Sequence, residues 1–176
     1  GMEMDFMPLI PFLGVSVPES ITLYYMVLVQ TNKKESPILI IALSILTSLF
    51  SFTVRSIPMI FGIHSILQVL LMVIFLNLFF QLPLRTAVIV MLLTSAVLGL
   101  VEGISVPFLA WFFSLSLEQI ISDPMLRIMF TLPHLLFLTT LSYIVRKHQW
   151  RLPLISRLMK INCETVKRPK KQLVKQ

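Results

Sequence analysis

The stretch RTAVIVMLLTSAVLGLVEGISVPFLAWFF, residues 85–113, decides the fold, because after Arg85 it carries a single charged residue, Glu102. About twenty consecutive, mostly apolar residues cross the hydrocarbon core of a bilayer as an α-helix. Pro107 is expected to kink or end this helix. The segment therefore predicts a membrane-spanning helix rather than an element of a soluble core.

The composition of the whole chain also indicates a membrane protein. Of its 176 residues, 56% are hydrophobic and 13% are charged, and the mean hydropathy is +0.88. A soluble domain carries about 25% charged residues and has a large wet surface to cover with polar groups. Eight acidic and fifteen basic residues are too few for that task beside such long apolar runs, so lipid must cover much of the surface.

Four more apolar segments lie between polar turns, so the sequence predicts an all-α polytopic membrane bundle of about five transmembrane helices. The first segment, 18–31, follows an irregular or interfacial lead-in at 1–17 that prolines and a glycine interrupt. If 18–31 does not cross the bilayer, four spans remain. Residues 18–147 form the predicted transmembrane domain. The remaining predicted helices cover 38–54, 64–80, 85–113 and 124–145.

Basic residues in the loops set the predicted orientation, because cytoplasmic loops are enriched in Lys and Arg. Three groups of basic residues place the N-terminus outside and the C-terminus in the cytoplasm: Lys33 with Lys34, Arg85, and the block Arg146–Lys175. We therefore expect a multi-pass protein of the cell membrane. Arg55 and Arg127 fall on the outer side, against the rule, near other polar groups predicted there.

The basic tail at 148–176 has two predicted features. Apolar residues at helical spacing over 154–161 indicate a short amphipathic helix on the membrane surface. Directly after a spanning helix, the positive charge is a topology signal rather than a nucleic-acid site. The expected partner of the chain is therefore the lipid bilayer, with no nucleic acid.

Ionisable side chains within a membrane are costly, so each is a candidate functional residue. The predicted topology brings such groups to a shared depth near the outer face. One interpretation is a structural network of ion pairs that pins the bundle. Another is an outward-facing pocket for a ligand such as a peptide carboxylate or amine, and a third is a path for protons or ions. The candidates are Glu19, Arg55, His64, Glu102, Arg127 and His134.

A G-x-x-x-G motif, Gly99 to Gly103, lies within the fourth predicted helix beside Glu102. This motif lets two helix backbones approach closely. We predict a helix contact at both glycines. The contact is expected inside the bundle, with a contact between the two protomers of a homodimer as the alternative.

The sequence offers no pattern for catalysis or for a cofactor. The histidines His64 and His134 lack the spacing of metal ligands. Nucleophile elbows, zinc-protease motifs and phosphate-binding loops are missing from the sequence, which holds only five glycines. We therefore expect neither enzymatic activity, nor a cofactor, nor a metal.

Three stretches carry a resemblance to a known family: PESI at 18–21, FGIHSIL at 61–67 and LEQIISDPMLRI at 117–128. Over most of 18–147 the chain resembles the N-terminal membrane region of many Firmicutes sensor histidine kinases. It is similar to the accessory-gene-regulator type of peptide-sensing receptor kinase. This resemblance implies a sensory membrane module in a two-component signalling system.

The resemblance stops near Arg146, because His148 does not match the phospho-acceptor motif of that family and no ATP-binding boxes follow. Kinase activity is therefore not implied for this chain. The leading hypothesis is a membrane sensor that acts through a partner, such as a kinase, another membrane protein or a second copy of itself. The alternatives are a substrate-binding membrane subunit of a small-solute transporter and a non-enzymatic membrane assembly subunit.

Overall fold

The computed structural model describes residues 9–31, 33, 36–57, 62–147, 157 and 160. Within these residues the chain forms six helices. They are α1 (Leu9–Thr31), α2 (Pro37–Arg55), α3 (Ile63–Phe80), α4 (Leu84–Phe112), α5 (Leu117–Ser122) and α6 (Pro124–Lys147).

Five of these helices, all except α5, are long and apolar enough to cross a membrane. The prediction of an all-α polytopic membrane bundle is confirmed. The first candidate span begins at Pro11, so α1 is one of the five candidate spans and the alternative with four spans is not supported. The chain is a multi-pass helical bundle.

The predicted irregular lead-in at 1–17 is wrong where the structure describes it, because α1 is helical from Leu9 and passes through Pro18. A proline inside a helix leaves one carbonyl without its partner and costs stability. Neighbouring helices offset this cost in membrane proteins. Here Phe12 and Ser16 are buried, and α1 packs against α2 and α6 along this stretch. Residues 1–8 lie outside the described part of the chain.

The predicted end at Pro107 is wrong, because α4 continues past this proline to Phe112. The kink predicted there as the alternative stays a prediction. After α4, Ser116 and Gln119 form a capping box: the Gln119 amide donates to Ser116 Oγ at 3.2 Å, and the Ser116 amide donates to Gln119 Oε1 at 3.0 Å. The box starts a short helix, α5, between the two last predicted spans. Asp123 Oδ1 then accepts from the Met125 amide at 3.0 Å, at the start of α6.

Helix α1 lies in the middle of the bundle and packs against α2, α4 and α6. Helix α3 packs against α2 and α4, whereas α5 packs against α6 and α4. Lipid-facing surfaces are apolar, as Ile38 and Leu136 illustrate with 82% and 66% exposure. The core fills the half of the bundle that holds the C-terminal half of α1. Its largest buried members include Tyr24, Leu28, Leu43, Met72, Leu76 and Met91.

The G-x-x-x-G motif makes no close contact within the described chain. Both Gly99 and Gly103 are exposed, and a Cβ placed on either would meet no described atom within 4 Å outside its own stretch of α4. The internal helix contact predicted there is therefore absent, because the motif lies on a face of α4 that no described helix covers. The alternative contact between protomers stays a prediction.

The amphipathic helix predicted over 154–161 lies outside the described residues, apart from Arg157 and Lys160. Both of these are helical and exposed.

A different glycine, Gly14, does lie in a close contact. A Cβ there would approach Ile128 Cδ1 to 3.2 Å, which ties α1 tightly to α6. We predict that Gly14→Leu lowers the melting temperature in detergent, because overpacking a tight contact costs about 1–3 kcal/mol. Gly99→Leu is the matched control and should leave the melting temperature unchanged. Equal melting temperatures for both variants would contradict the packing of α1 against α6.

Candidate functional site

A cavity of about 520 Å³ lies at the end of the bundle where α2 ends and α6 begins. This is the end that loop charges predict to face outside. All six helices contribute to its lining. Its charged residues are Glu19, Arg55, Glu102 and Arg127; its other polar residues are Ser16, Gln68 and Thr131; and the apolar remainder includes Phe12, Val15, Val106, Leu117, Ile120 and Phe130.

The structure therefore brings together four of the six residues predicted to share a site. Glu19 comes from α1, Arg55 ends α2, Glu102 comes from α4 and Arg127 lies in the first turn of α6. Their charges act on one another: Glu19 interacts electrostatically with the other three, and Arg55 also interacts with Arg127. Two carboxylates and two guanidinium groups leave the cavity close to electrically neutral when all are ionised.

The carboxylates lie deeper than the helix ends that carry the arginines. Glu19 is ten residues from the start of α1 and Glu102 is ten residues from the end of α4, about 15 Å along each helix. Arg55, by contrast, is the last residue of α2. Its guanidinium carbon lies 5.2 Å from the centre of the Phe12 ring, a cation–π contact that holds this arginine at the cavity wall.

The two predicted histidines do not line the cavity. His134 is buried on α6, with 2% exposure, and interacts electrostatically with Glu102, so it lies behind the cavity wall. His64 is half-buried in the first turn of α3, and its Nδ1 has no hydrogen-bond partner among the described residues. No group of three metal-ligating side chains occurs in the part of the chain that the structure describes.

Several residues that line the cavity were not predicted from the sequence. Phe12, Val15 and Ser16 fall in the stretch predicted as an irregular lead-in, so their place on a spanning helix was not foreseen. Gln68 carries no charge and therefore gave no signal as an ionisable group. It accepts a hydrogen bond from Ser51 Oγ at 3.2 Å, which links α3 to α2 at the cavity.

Below the cavity, α1 and α2 meet along small hydroxyl-bearing residues. Tyr24 and Thr47 share a buried hydrogen bond of 2.8 Å between their hydroxyl oxygens. Ser44 and Ser48 are completely buried. Small residues of this kind let two helices approach closely in a membrane. This contact fixes the position of Glu19 relative to Arg55, because the two residues belong to these two helices.

A second, more open depression lies at the opposite end of the bundle, near Lys33, Pro37 and Phe79. Among the described residues, its lining contains a single charged residue, Lys33, and no acidic one. The described lining therefore lacks the paired charges that distinguish the first cavity.

Comparison with protein-family models, curated proteins and solved structures finds no match to this chain.

The charge balance of the cavity predicts a specific pattern of stability. Glu19→Gln leaves two arginines facing one carboxylate, so it should lower the melting temperature in detergent. Adding Arg127→Gln restores the balance of charge. The double variant should therefore lose less stability than the sum of the losses in the two single variants, with a coupling energy of about 0.5–3 kcal/mol. Glu118→Gln, on α5 outside the cavity lining, is the control and should have no effect. Strictly additive losses would show that these charges do not act as one cluster.

Proposed function

We propose that this chain is a ligand-sensing module of the cell membrane, with its N-terminus outside and its C-terminus in the cytoplasm. Its cavity binds a small molecule with charged groups on an apolar body, and the bound state is passed to a partner protein or to a second copy. The observation that carries this proposal is the cavity with paired opposite charges and apolar walls. The resemblance to the membrane regions of sensor kinases supports the same function.

The size and chemistry of the cavity suit a small ligand. Its volume of about 520 Å³ lies within the usual range of small-molecule sites, about 300–1,000 Å³. Guanidinium groups bind carboxylates and phosphates through paired hydrogen bonds, and carboxylates accept hydrogen bonds from ammonium groups. A ligand with both a cationic and an anionic group, such as the end of a peptide, matches Glu19 and Glu102 on one side and Arg55 and Arg127 on the other.

The core below the cavity favours sensing over transport by this chain alone. Tyr24, Leu28 and Met72 are completely buried and fill the bundle between the cavity and the opposite end. Within the described residues the cavity does not continue past them, so a solute has no path across. A transporter subunit would need such a path or a partner that supplies one.

The helix best placed to pass on a signal is α6. It carries Arg127, Phe130 and Thr131 in the cavity wall, and α1 packs more extensively against it than against α2 or α4. Its other end carries Arg146 and Lys147 and leads into the basic tail. A ligand that draws Arg127 towards Glu19 shifts α6 against α1, and the shift reaches the cytoplasmic side through this helix.

The proposal predicts which ligands bind. Dipeptides with apolar side chains, such as leucyl-phenylalanine, should raise the melting temperature of the protein in lipid nanodiscs when both ends are free. Acetylation of the amine or amidation of the carboxylate should remove most of this effect, since each removes one charge that the cavity matches. The measurement is a thermal shift titration for each form of the peptide.

The control variants for this experiment come from opposite ends of the bundle. Arg127→Gln should abolish the shift, whereas Arg85→Gln, at the start of α4 and outside the cavity, should preserve it. A shift of equal size in both variants, or no difference between free and blocked peptides, would contradict the proposed site.

A further inference from the structure

The wall of the cavity has an opening at α4. Glu102, Gly103 and Pro107 all line the cavity, and all three are also exposed at the surface of the bundle. A residue that is both cavity-lining and surface-exposed marks an opening. Outside its own stretch of α4, no described atom lies within 4 Å of a Cβ placed on Gly103, so no other described side chain closes this gap.

The opening lies within the membrane rather than at its edge. Gly103 is nine residues from the end of α4, about 14 Å along the helix axis. The neighbouring residues Leu100, Ile104 and Phe108 are 66%, 71% and 59% exposed. An exposed apolar surface of this kind on a spanning helix faces lipid, so the opening at Gly103 faces lipid as well.

Helix α5 lies at the end of the cavity that is predicted to face water. Leu117 and Ile120 of this helix line the cavity, and the capping box at Ser116 and Gln119 fixes its first turn. Helix α5 packs on both α4 and α6. Ile120 is buried, whereas Leu117 is 49% exposed, so α5 covers this end only in part, and the gap at Gly103 is a separate opening at the side.

Helix α6 packs against α4 and lines the same cavity. Glu102 interacts electrostatically with His134 of α6, and the α6 residues Phe130 and Thr131 line the cavity together with Gly103. A molecule entering at Gly103 would therefore reach a cavity that both helices line.

We propose that the cavity takes a single-chain zwitterionic amphiphile from the bilayer through the lateral opening at Gly103 of α4. Its headgroup lies among Glu19, Arg55, Glu102 and Arg127, and its acyl chain leaves past Gly103 into lipid. This inference rests on the proposed ligand site and names the class of ligand and its route.

The charges of the cavity fit such a headgroup. A phosphoethanolamine group carries an ammonium and a phosphate a few atoms apart. The phosphate accepts paired hydrogen bonds from the guanidinium groups of Arg55 and Arg127, and the ammonium donates to Glu19 or Glu102. A charged headgroup is stable at this depth only where opposite charges replace water, which the cavity supplies.

The test compares two probes with the same headgroup. Myristoyl lysophosphatidylethanolamine carries the acyl chain, and glycerophosphoethanolamine lacks it. Binding of each is titrated to the protein in phosphatidylglycerol nanodiscs, whose lipids carry no ammonium group, and is read by native mass spectrometry. The variants are Gly103→Leu, which fills the opening, Gly99→Leu, which adds the same side chain one turn away outside the cavity lining, and Arg127→Gln.

We expect wild type and Gly99→Leu to bind the lysolipid equally, and Gly103→Leu to bind it at least about tenfold more weakly, a loss of about 1.4 kcal/mol. Any binding of glycerophosphoethanolamine should be the same in Gly103→Leu and wild type. Arg127→Gln should weaken binding of the lysolipid as well. Folding of each variant is checked by its melting temperature.

The lateral route is overturned if wild type does not bind the lysolipid, or if Gly103→Leu and Gly99→Leu bind it alike. If Gly103→Leu loses binding of both probes, the added leucine damages the ligand site itself, and this result also overturns the route. After any of these results, the proposed ligand site still holds if the thermal shift caused by leucyl-phenylalanine depends on Arg127. If Arg127→Gln changes the binding of none of these ligands, the proposed ligand site itself is contradicted.

Discussion

A charge within a membrane must be matched by an opposite charge, a hydrogen-bonding group or water, and this constraint organises one end of the bundle. Glu19 and Glu102 lie on spanning helices about 15 Å from the helix ends. Arg55 and Arg127 come to them from the ends of two other helices. Because the four residues belong to four helices, the charges are balanced only when α1, α2, α4 and α6 are assembled. The same assembly encloses the cavity, so stability and the candidate site depend on one arrangement.

The central position of α1 makes this arrangement feasible. The helix continues through Pro18, and its neighbours α2 and α6 stabilise the stretch that would otherwise break. One half of α1 carries Phe12, Ser16 and Glu19 into the cavity wall. The other half carries Tyr24 and Leu28 into the closed core. A single helix thus contributes both to the polar end and to the apolar seal beneath it.

The class of fold could be predicted from the sequence, because long apolar runs in a chain with few charges are stable as helices that span a bilayer. It also predicted that Glu19, Arg55, Glu102 and Arg127 would meet, since the positions of charges along spanning helices set their depth. It did not predict that Leu9–Val17 is helical, because the prolines there indicate a break and only tertiary packing overrides them. Nor did it predict that His64 and His134 stay out of the cavity, because depth alone does not say which way a side chain points around a helix. The face occupied by Gly99 and Gly103 was unpredictable for the same reason.

We propose that the four charges surround an open ligand cavity and are not simply packed against one another. Electron cryomicroscopy of the protein in lipid nanodiscs, at a resolution that shows side chains, tests this proposal. We expect a cavity of about 520 Å³ between α1, α4 and α6, with density for a bound molecule touching Arg127 or a carboxylate. Direct packing of Glu19 and Glu102 against the two arginines, with the space between the helices filled by side chains, would contradict it.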